Sequence, residues 1–192
     1  MSLPQYENAF YYPNGEFSVE RALQAYKELF QYHRYSLMES VISRPDIWIT
    51  DFGLGNFAEV GFGGVCFVNH KEYGYFCHSI YLLPGQMIAE HYHLPALGKP
   101  GKHETWHVQY GSIWTLAQGG DKSKMPFKIP ACEEKTMTCF DAKLLKTGDI
   151  DALRKVEEPH FMMAGPEGAI VSEYACFHSG EGFRLSNPLA KV

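Results

Sequence analysis

Gly85-Gln-Met-Ile-Ala-Glu-His91-Tyr-His93, continued by Lys102-His-Glu104-Thr-Trp-His-Val-Gln-Tyr-Gly111, is the stretch whose reading decides the fold of this chain. Side chains two apart on a β-strand share a face, so His91 and His93 converge on one point while Tyr92 turns away. Two histidines followed by a glutamate are the residue types that hold a divalent metal. The run Glu104-Thr-Trp-His-Val-Gln-Tyr suits a second strand, and Gly111 closes it. Strands that carry such ligands toward a common interior predict a barrel with a metal inside.

The rest of the chain agrees with that reading. From Pro45 onward short β-type runs alternate with Pro or Gly punctuation: Asp46–Thr50, Gly64–Val68, Tyr75–Leu83, Trp106–Tyr110, Ser112–Leu116, Thr136–Phe140, His160–Met163 and Ala169–Phe177. Many short strands with regular turn signals predict an all-β sandwich or barrel. The segment Asp149-Ile-Asp-Ala-Leu-Arg-Lys-Val reads as a short turn of helix or an irregular loop. Before Pro45, Val19, Leu23, Tyr26, Phe30 and His33 recur at intervals of three and four, and Ser18 is a natural N-cap. A helix over 18–40 packed on the outside of a sheet is expected. No internal repeat or linker divides the chain, so residues 1–192 read as one domain, with a helical extension over 1–45 and a β-barrel over 46–190. Gly53-Leu-Gly55-Asn-Phe-Ala58 matches the string of a dinucleotide-binding turn, but that motif needs a helix directly after it to receive the pyrophosphate. The segment after Ala58 is Gly-rich and then strand-like, so the match is a decoy.

Composition narrows the function. A net charge of −5, with no run of Lys or Arg, argues against a nucleic-acid partner and leaves a neutral small substrate such as a sugar open. No stretch is long and apolar enough to span a membrane. The opening Met1-Ser-Leu-Pro-Gln-Tyr-Glu-Asn8 lacks a basic segment followed by an apolar run, so it does not read as a secretion signal. Five cysteines without C-x-x-C spacing argue against a disulfide framework or a zinc knuckle, and predict reduced side chains in a cytoplasmic protein.

The intervals can now be counted: Gly85, five residues, His91-x-His93, ten residues, Glu104, six residues, Gly111. This resembles the first motif of the cupin superfamily, whose jelly-roll barrel carries the pair and the glutamate on adjacent strands. Leu94–Gly101 reads as a loop that absorbs a longer interval than the motif's short form. The second cupin motif supplies another histidine, matched by His160, with Gly148 as its upstream glycine. Asp51-Phe-Gly-Leu-Gly-Asn-Phe, Leu82-Leu-Pro-Gly-Gln, Lys102-x-Glu104-Thr, and His160 with Ala164-Gly-Pro-Glu-Gly-Ala-Ile-Val-Ser-Glu173, together look like the D-lyxose isomerase family of cupin-type sugar isomerases. The match covers roughly residues 48–188. It implies a divalent-metal-dependent aldose–ketose isomerase, with manganese the metal implied and His91, His93, Glu104 and His160 its ligands. Cupins often pair edge to edge, which implies a homodimer. The sequence departs from the family at Phe161-Met162 and over Cys176–Arg184, positions that line or border a pocket.

Chemistry assigns further roles. Three imidazoles and a carboxylate leave a six-coordinate ion two adjacent open positions, enough for two neighbouring sugar oxygens. Moving a proton between carbons through an enediolate also needs a base. Glu173, inside the apolar run Ala169–Cys176, is the candidate base; the alternative is an outward residue in a salt bridge. Lys102 shares the strand parity of Glu104 and is a candidate to hydrogen-bond the shifting oxygen; the alternative is a solvated loop lysine. Arg184 resembles a family arginine near the substrate, against a surface role. His103 and His107 have the opposite parity, His78 can face the cavity, and His33, His70 and His178 read as structural or surface residues. Ligand types alone also admit iron, cobalt, nickel or zinc. Two competing functions therefore stand beside the isomerase: an iron-dependent cupin dioxygenase, which needs no proton shuttle such as Lys102 and Glu173, and a non-catalytic sugar-binding cupin.

Overall fold

The computed structural model describes residues 3–192, so the first two residues of the opening segment read for a secretion signal lie outside the described residues. Three helices come first: α1 (Asn8–Tyr11), α2 (Val19–Tyr32) and α3 (Met38–Ile42). The single helix expected over 18–40 is thus two. Ser18 caps α2 by accepting from the Arg21 N–H. The chain leaves the helix where Arg34 takes a φ of 52°, a left-handed conformation that a right-handed helix does not continue through. The buried stripe runs through Ala22, Ala25, Tyr26, Leu29 and Phe30, with Val19 half exposed. The helix is therefore rotated from the face expected through Val19, Leu23 and His33, because Tyr26 and Phe30 are its largest apolar bodies.

Ten strands come next: β1 (Trp48–Thr50), β2 (Phe62–His70), β3 (Tyr75–Leu82), β4 (His91–His93), β5 (Glu104–Ala117), β6 (Gly119–Gly120), β7 (Cys139–Lys146), β8 (Ile150–Ala152), β9 (His160–Cys176) and β10 (Phe183–Leu185). The decoy glycines precede β2, with no helix after them. Two differences from the sequence reading stand out. Residues 150–152 form a strand paired with β5 rather than a helix or loop. The strand expected over 136–140 starts at Cys139 and runs on to Lys146, on a surface so exposed that its alternation is weak.

β5 and β9 organise the barrel. They run antiparallel from Glu104↔Ala175 to Ala117↔His160, with register breaks around Val108–Ile113. At the break Gly111 has a φ of +77°, and a Cβ there would lie 2.0 Å from the Gly168 carbonyl oxygen. Only glycine permits that approach. Both strands fold over at this point, so each serves two sheets. Their 104–111 and 169–176 halves join β1, β2, β3 and β8, while their 113–117 and 160–164 halves join β4, β10, β7 and β6. Glu104 and His160 stand at opposite ends of the ladder, yet their side chains approach to 3.3 Å. The two sheets therefore face each other: this is an all-β, cupin-type jelly-roll barrel preceded by helices.

Its interior holds one apolar cluster, including Ile80, Leu82, Met87, Val108, Ile113 and Val171. A second cluster packs Tyr26, Leu29 and Phe30 of α2 onto Val65, Tyr81 and Ile170 on the outside of the sheet. Ile170 and Val171 thus point to different cores. A sheet covered on both faces explains the unbroken apolar run there, and each such side chain contributes about 1.5–3 kcal/mol by burial. Among the described residues, no helix is long and apolar enough to cross a membrane.

Candidate active site

β4 presents His91 and His93 to the interior, and its Tyr92 side chain is only half-buried. After His93 the chain turns at Leu94–Gly101 and returns. A Cβ on Gly101 would lie 2.3 Å from the His93 carbonyl oxygen, so a glycine lets the returning chain lie against β4. That contact delivers Lys102 and then Glu104, the first residue of β5. Lys102 precedes the strand rather than lying on it, but it keeps the inward parity and is buried. His160, the first residue of β9, pairs directly with His91.

His91, His93, Glu104 and His160 are all buried, and their ligand atoms lie within 4.8 Å of one another. Donor chemistry tests whether a metal fits. His91 and His160 engage backbone carbonyls through Nδ1, at Ala89 (2.9 Å) and Glu158 (2.8 Å), which turns each Nε2 inward as a lone-pair donor. His93 Nε2 comes 2.8 Å from Glu104 Oε1, and His160 Nε2 3.3 Å from Glu104 Oε2. Neither contact has hydrogen-bond alignment: both imidazole nitrogens and Glu104 Oε1 are buried without a bonded partner. These orphaned atoms aim at a shared point, as a divalent ion requires. Burial and the neighbouring His160 and His93 push the His91 imidazole well down, toward the neutral ligand form. Burial also opposes charge on His160, but the Glu104 carboxylate outweighs it and raises the imidazole, so the local potential attracts cations.

Beside this group lies a buried ion-pair network. Lys102 Nζ sits 3.0 Å from Glu104 Oε1, donates to Glu173 Oε1, and rests 4.3 Å over the Phe76 ring. His78 Nε2 lies 3.2 Å from Glu173 Oε2. Burial and the Glu104 charge push the Glu173 carboxyl up, but Lys102 and His78 outweigh them and hold it at about 2. Burial opposes the Lys102 ammonium, and the Glu104 and Glu173 carboxylates overcome it, raising the group. The strand parity that pairs His78 with Glu173 across β3 and β9 turns both inward. All of these residues line one cavity of about 500 Å³, walled by Trp48, Phe76, Trp106 and Phe183. That volume suits a small ligand. Phe161 and Met162, where the sequence departs from the family, also line it.

Of the two roles open to Arg184, near the substrate or on the surface, its placement agrees with the second. It is exposed and does not line the cavity, and its guanidinium donates to the carbonyls of Glu181 and Phe183. Parity is the cause: in the β10–β4 pair Arg184 opposes Tyr92, while Phe183 opposes His93. Phe183, not Arg184, faces inward.

Three further residues, to which the sequence reading assigns no role there, belong to the site or its supports. Gln86 is fully buried; its Oε1 accepts from the Tyr26 hydroxyl and the Leu83 N–H, both at 3.0 Å, and its Nε2 donates to the Phe57 carbonyl at 2.6 Å. Glu90, also fully buried, accepts from the Thr138 N–H (2.8 Å), the Thr138 hydroxyl (3.0 Å) and the Cys139 N–H (2.9 Å). Together they pin both ends of the segment leading into His91. A polar residue interrupting an apolar run singles out Glu173, and the same signal in Gln86-Met-Ile-Ala-Glu90 marks this pair. His178, expected near a turn, lines the cavity instead. Burial and the Lys102 charge push its imidazole down to about 4.

Barrel and side-chain cluster together define the class of cupin-type proteins with a metal-competent interior cavity. No family model matches the chain. It is 32% identical over 151 residues to the D-lyxose/D-mannose isomerase of Thermosediminibacter oceani, covering 77% of this chain and 80% of that protein. It is 31% identical over 148 residues to the D-lyxose ketol-isomerase of Cohnella laeviribosi, covering 77% and 79%. In fold it is similar to the L-ribose isomerase of Acinetobacter sp. DL28, with a TM-score of 0.67 at 13% identity over 89% of this chain and 92% of that one. The chain belongs to the D-lyxose isomerase family of sugar isomerases.

Proposed function

We propose that this protein is a divalent-metal-dependent aldose–ketose isomerase of the D-lyxose/D-xylulose or D-mannose/D-fructose type. The observation that carries this reading is the buried Lys102–Glu173 pair beside the three-histidine, one-carboxylate group in a single cavity. His91, His93, Glu104 and His160 would hold a divalent ion, manganese on the family resemblance, which would supply Lewis-acid polarisation of the sugar carbonyl. Glu173 takes the proton from the carbon beside the carbonyl and returns it to the former carbonyl carbon, while the hydroxyl proton passes by way of Lys102 to the former carbonyl oxygen. Lys102 donates to the oxygen on which negative charge builds, and the enediolate is stabilised by that ammonium. As Lys102 turns from Glu173 to the sugar oxygen, the carboxylate loses its charge partner and becomes a stronger base. Trp48, Phe76 and Phe183 supply apolar faces for the sugar ring or chain, and they exclude water from the exchange.

The reading extends to a homodimer in a reducing cytoplasm. The odd count of five cysteines, without C-x-x-C spacing, supports the second part. The test is a panel of aldoses and ketoses incubated with manganese-loaded protein, followed for interconversion in both directions and for exchange of the substrate proton with solvent. Turnover of a pentose or hexose, abolished by a chelator and restored by the metal, is expected. Oxygen consumption without interconversion would replace the isomerase with an oxygenase.

A further inference from the structure

Resting on the isomerase reading, the cavity carries a feature that the proton-transfer machinery does not use. His178 lines it, with Nδ1 buried and without a hydrogen-bond partner. Its ring centroid lies 5.7 Å from that of His93, so one small molecule can touch both, yet His178 is outside the four-ligand group. The other charged side chains facing the cavity are engaged with one another: Lys102 with Glu104 and Glu173, and Glu173 with His78.

His178 is also held firmly. Its N–H donates to Asn69 Oδ1 and its carbonyl accepts from Asn69 Nδ2, both at 3.0 Å. The preceding Phe177 N–H donates to the Gly74 carbonyl at 3.0 Å. The ring stands near Phe76 and Phe183, with centroids at 5.7 and 6.4 Å. Each nitrogen of a neutral imidazole is a donor or an acceptor according to the tautomer, and a sugar hydroxyl, which can do either, can partner Nδ1 in both cases. A buried polar atom left unpaired is costly, and a ligand hydroxyl removes that cost.

We propose that His178 is a specificity-determining residue: it hydrogen-bonds a hydroxyl of the bound monosaccharide beyond the two reacting carbons and selects for that hydroxyl's configuration. Asn69 is its positioning residue, acting through the backbone of His178.

A cycle between residue and substrate tests this. The preferred aldose and its deoxy analogues, each lacking one hydroxyl beyond the reacting carbons, are compared on the wild type, His178→Phe and His178→Gln. On the wild type, removing one particular hydroxyl is expected to cost about 10–100-fold in kcat/KM, the size of one buried hydrogen bond. On His178→Phe that analogue and the parent sugar should agree within about threefold, while His178→Gln recovers part of the difference. Dissociation constants for the same sugars run the cycle without turnover. An inactive wild type therefore overturns the isomerase reading alone, and the binding cycle still decides His178. Full discrimination retained by His178→Phe, or none by the wild type, overturns the assignment. So does loss of metal in both variants, which makes His178 part of the scaffold.

Discussion

Glu90 is fully buried and Glu104 nearly so, yet their oxygens meet different company. Glu90 faces two backbone N–H groups and a hydroxyl, all part of the fold itself. Glu104 faces Lys102, His93, His160 and the Trp106 indole N–H, and one of its oxygens lacks any aligned hydrogen bond. A carboxylate whose donors come from the backbone is satisfied whatever binds, and it fastens two chain segments together. One surrounded by a side-chain ammonium and imidazoles is only partly satisfied, and it stays available to an incoming ion. Burial therefore does not separate a scaffold acid from a working acid; the origin of the donors does.

The largest effect expected is at Glu104. Glu104→Gln removes a proposed ligand and the charge that draws cations, so metal content should fall well below that of the wild type and turnover by about 10³-fold or more. Elemental analysis of the dialysed variant beside its rate checks both. Full activity with a full metal complement would take Glu104 out of the ligand set. Next is Glu173. Glu173→Gln keeps the four ligands, so metal should stay bound while kcat drops about 10²–10⁴-fold. Unchanged turnover would remove it from the proton path.

Glu90 should behave in the reverse manner. Glu90→Ala leaves the Thr138 and Cys139 donors unsatisfied in the interior, and a loss of about 3–5 kcal/mol of folding stability is expected. Because the variant keeps every ligand, the rate per folded, metal-loaded molecule should change far less than in Glu173→Gln. Denaturant unfolding together with active-site titration separates the two quantities. A variant as stable as the wild type but inactive would erase the distinction between the two acids.

Legibility in the sequence divides along the same line. His91, His93, Lys102 and Glu104 are readable because their alternating parity survives in β4 and at the start of β5, where one face is sealed, and Glu173 because it interrupts an apolar run on β9. The fold-over is not: Gly111 reads as the end of one strand, whereas β5 continues through it to Ala117. Sequence spacing shows a glycine, but only the partner backbone at Gly168 shows why it is needed. Gln86 and Glu90 interrupt an apolar run and can be marked by that, but their roles are not legible because their partners, Phe57, Tyr26 and Thr138, lie on segments far away in the chain. The early helix break at Arg34 is not legible because local periodicity does not register a left-handed turn.

Arg184 gives the smallest expected effect and the sharpest check on parity. It stands on the strand beside His91 and His93, it resembles a family arginine near the substrate although the segment before it departs from the family, and it carries a charge suited to sugar oxygens. Its side chain nonetheless opposes Tyr92 and is tied to carbonyls of its own turn. Arg184→Ala should leave kcat, KM and metal content within about twofold, and stability within about 0.5 kcal/mol, as for a surface substitution. Phe183→Ala, one residue earlier and facing His93, should instead raise KM, since it strips an apolar wall from the cavity. If Arg184→Ala raises KM and Phe183→Ala does not, the register of β10 on β4 is shifted by one residue in solution, which would turn the whole β10 face over.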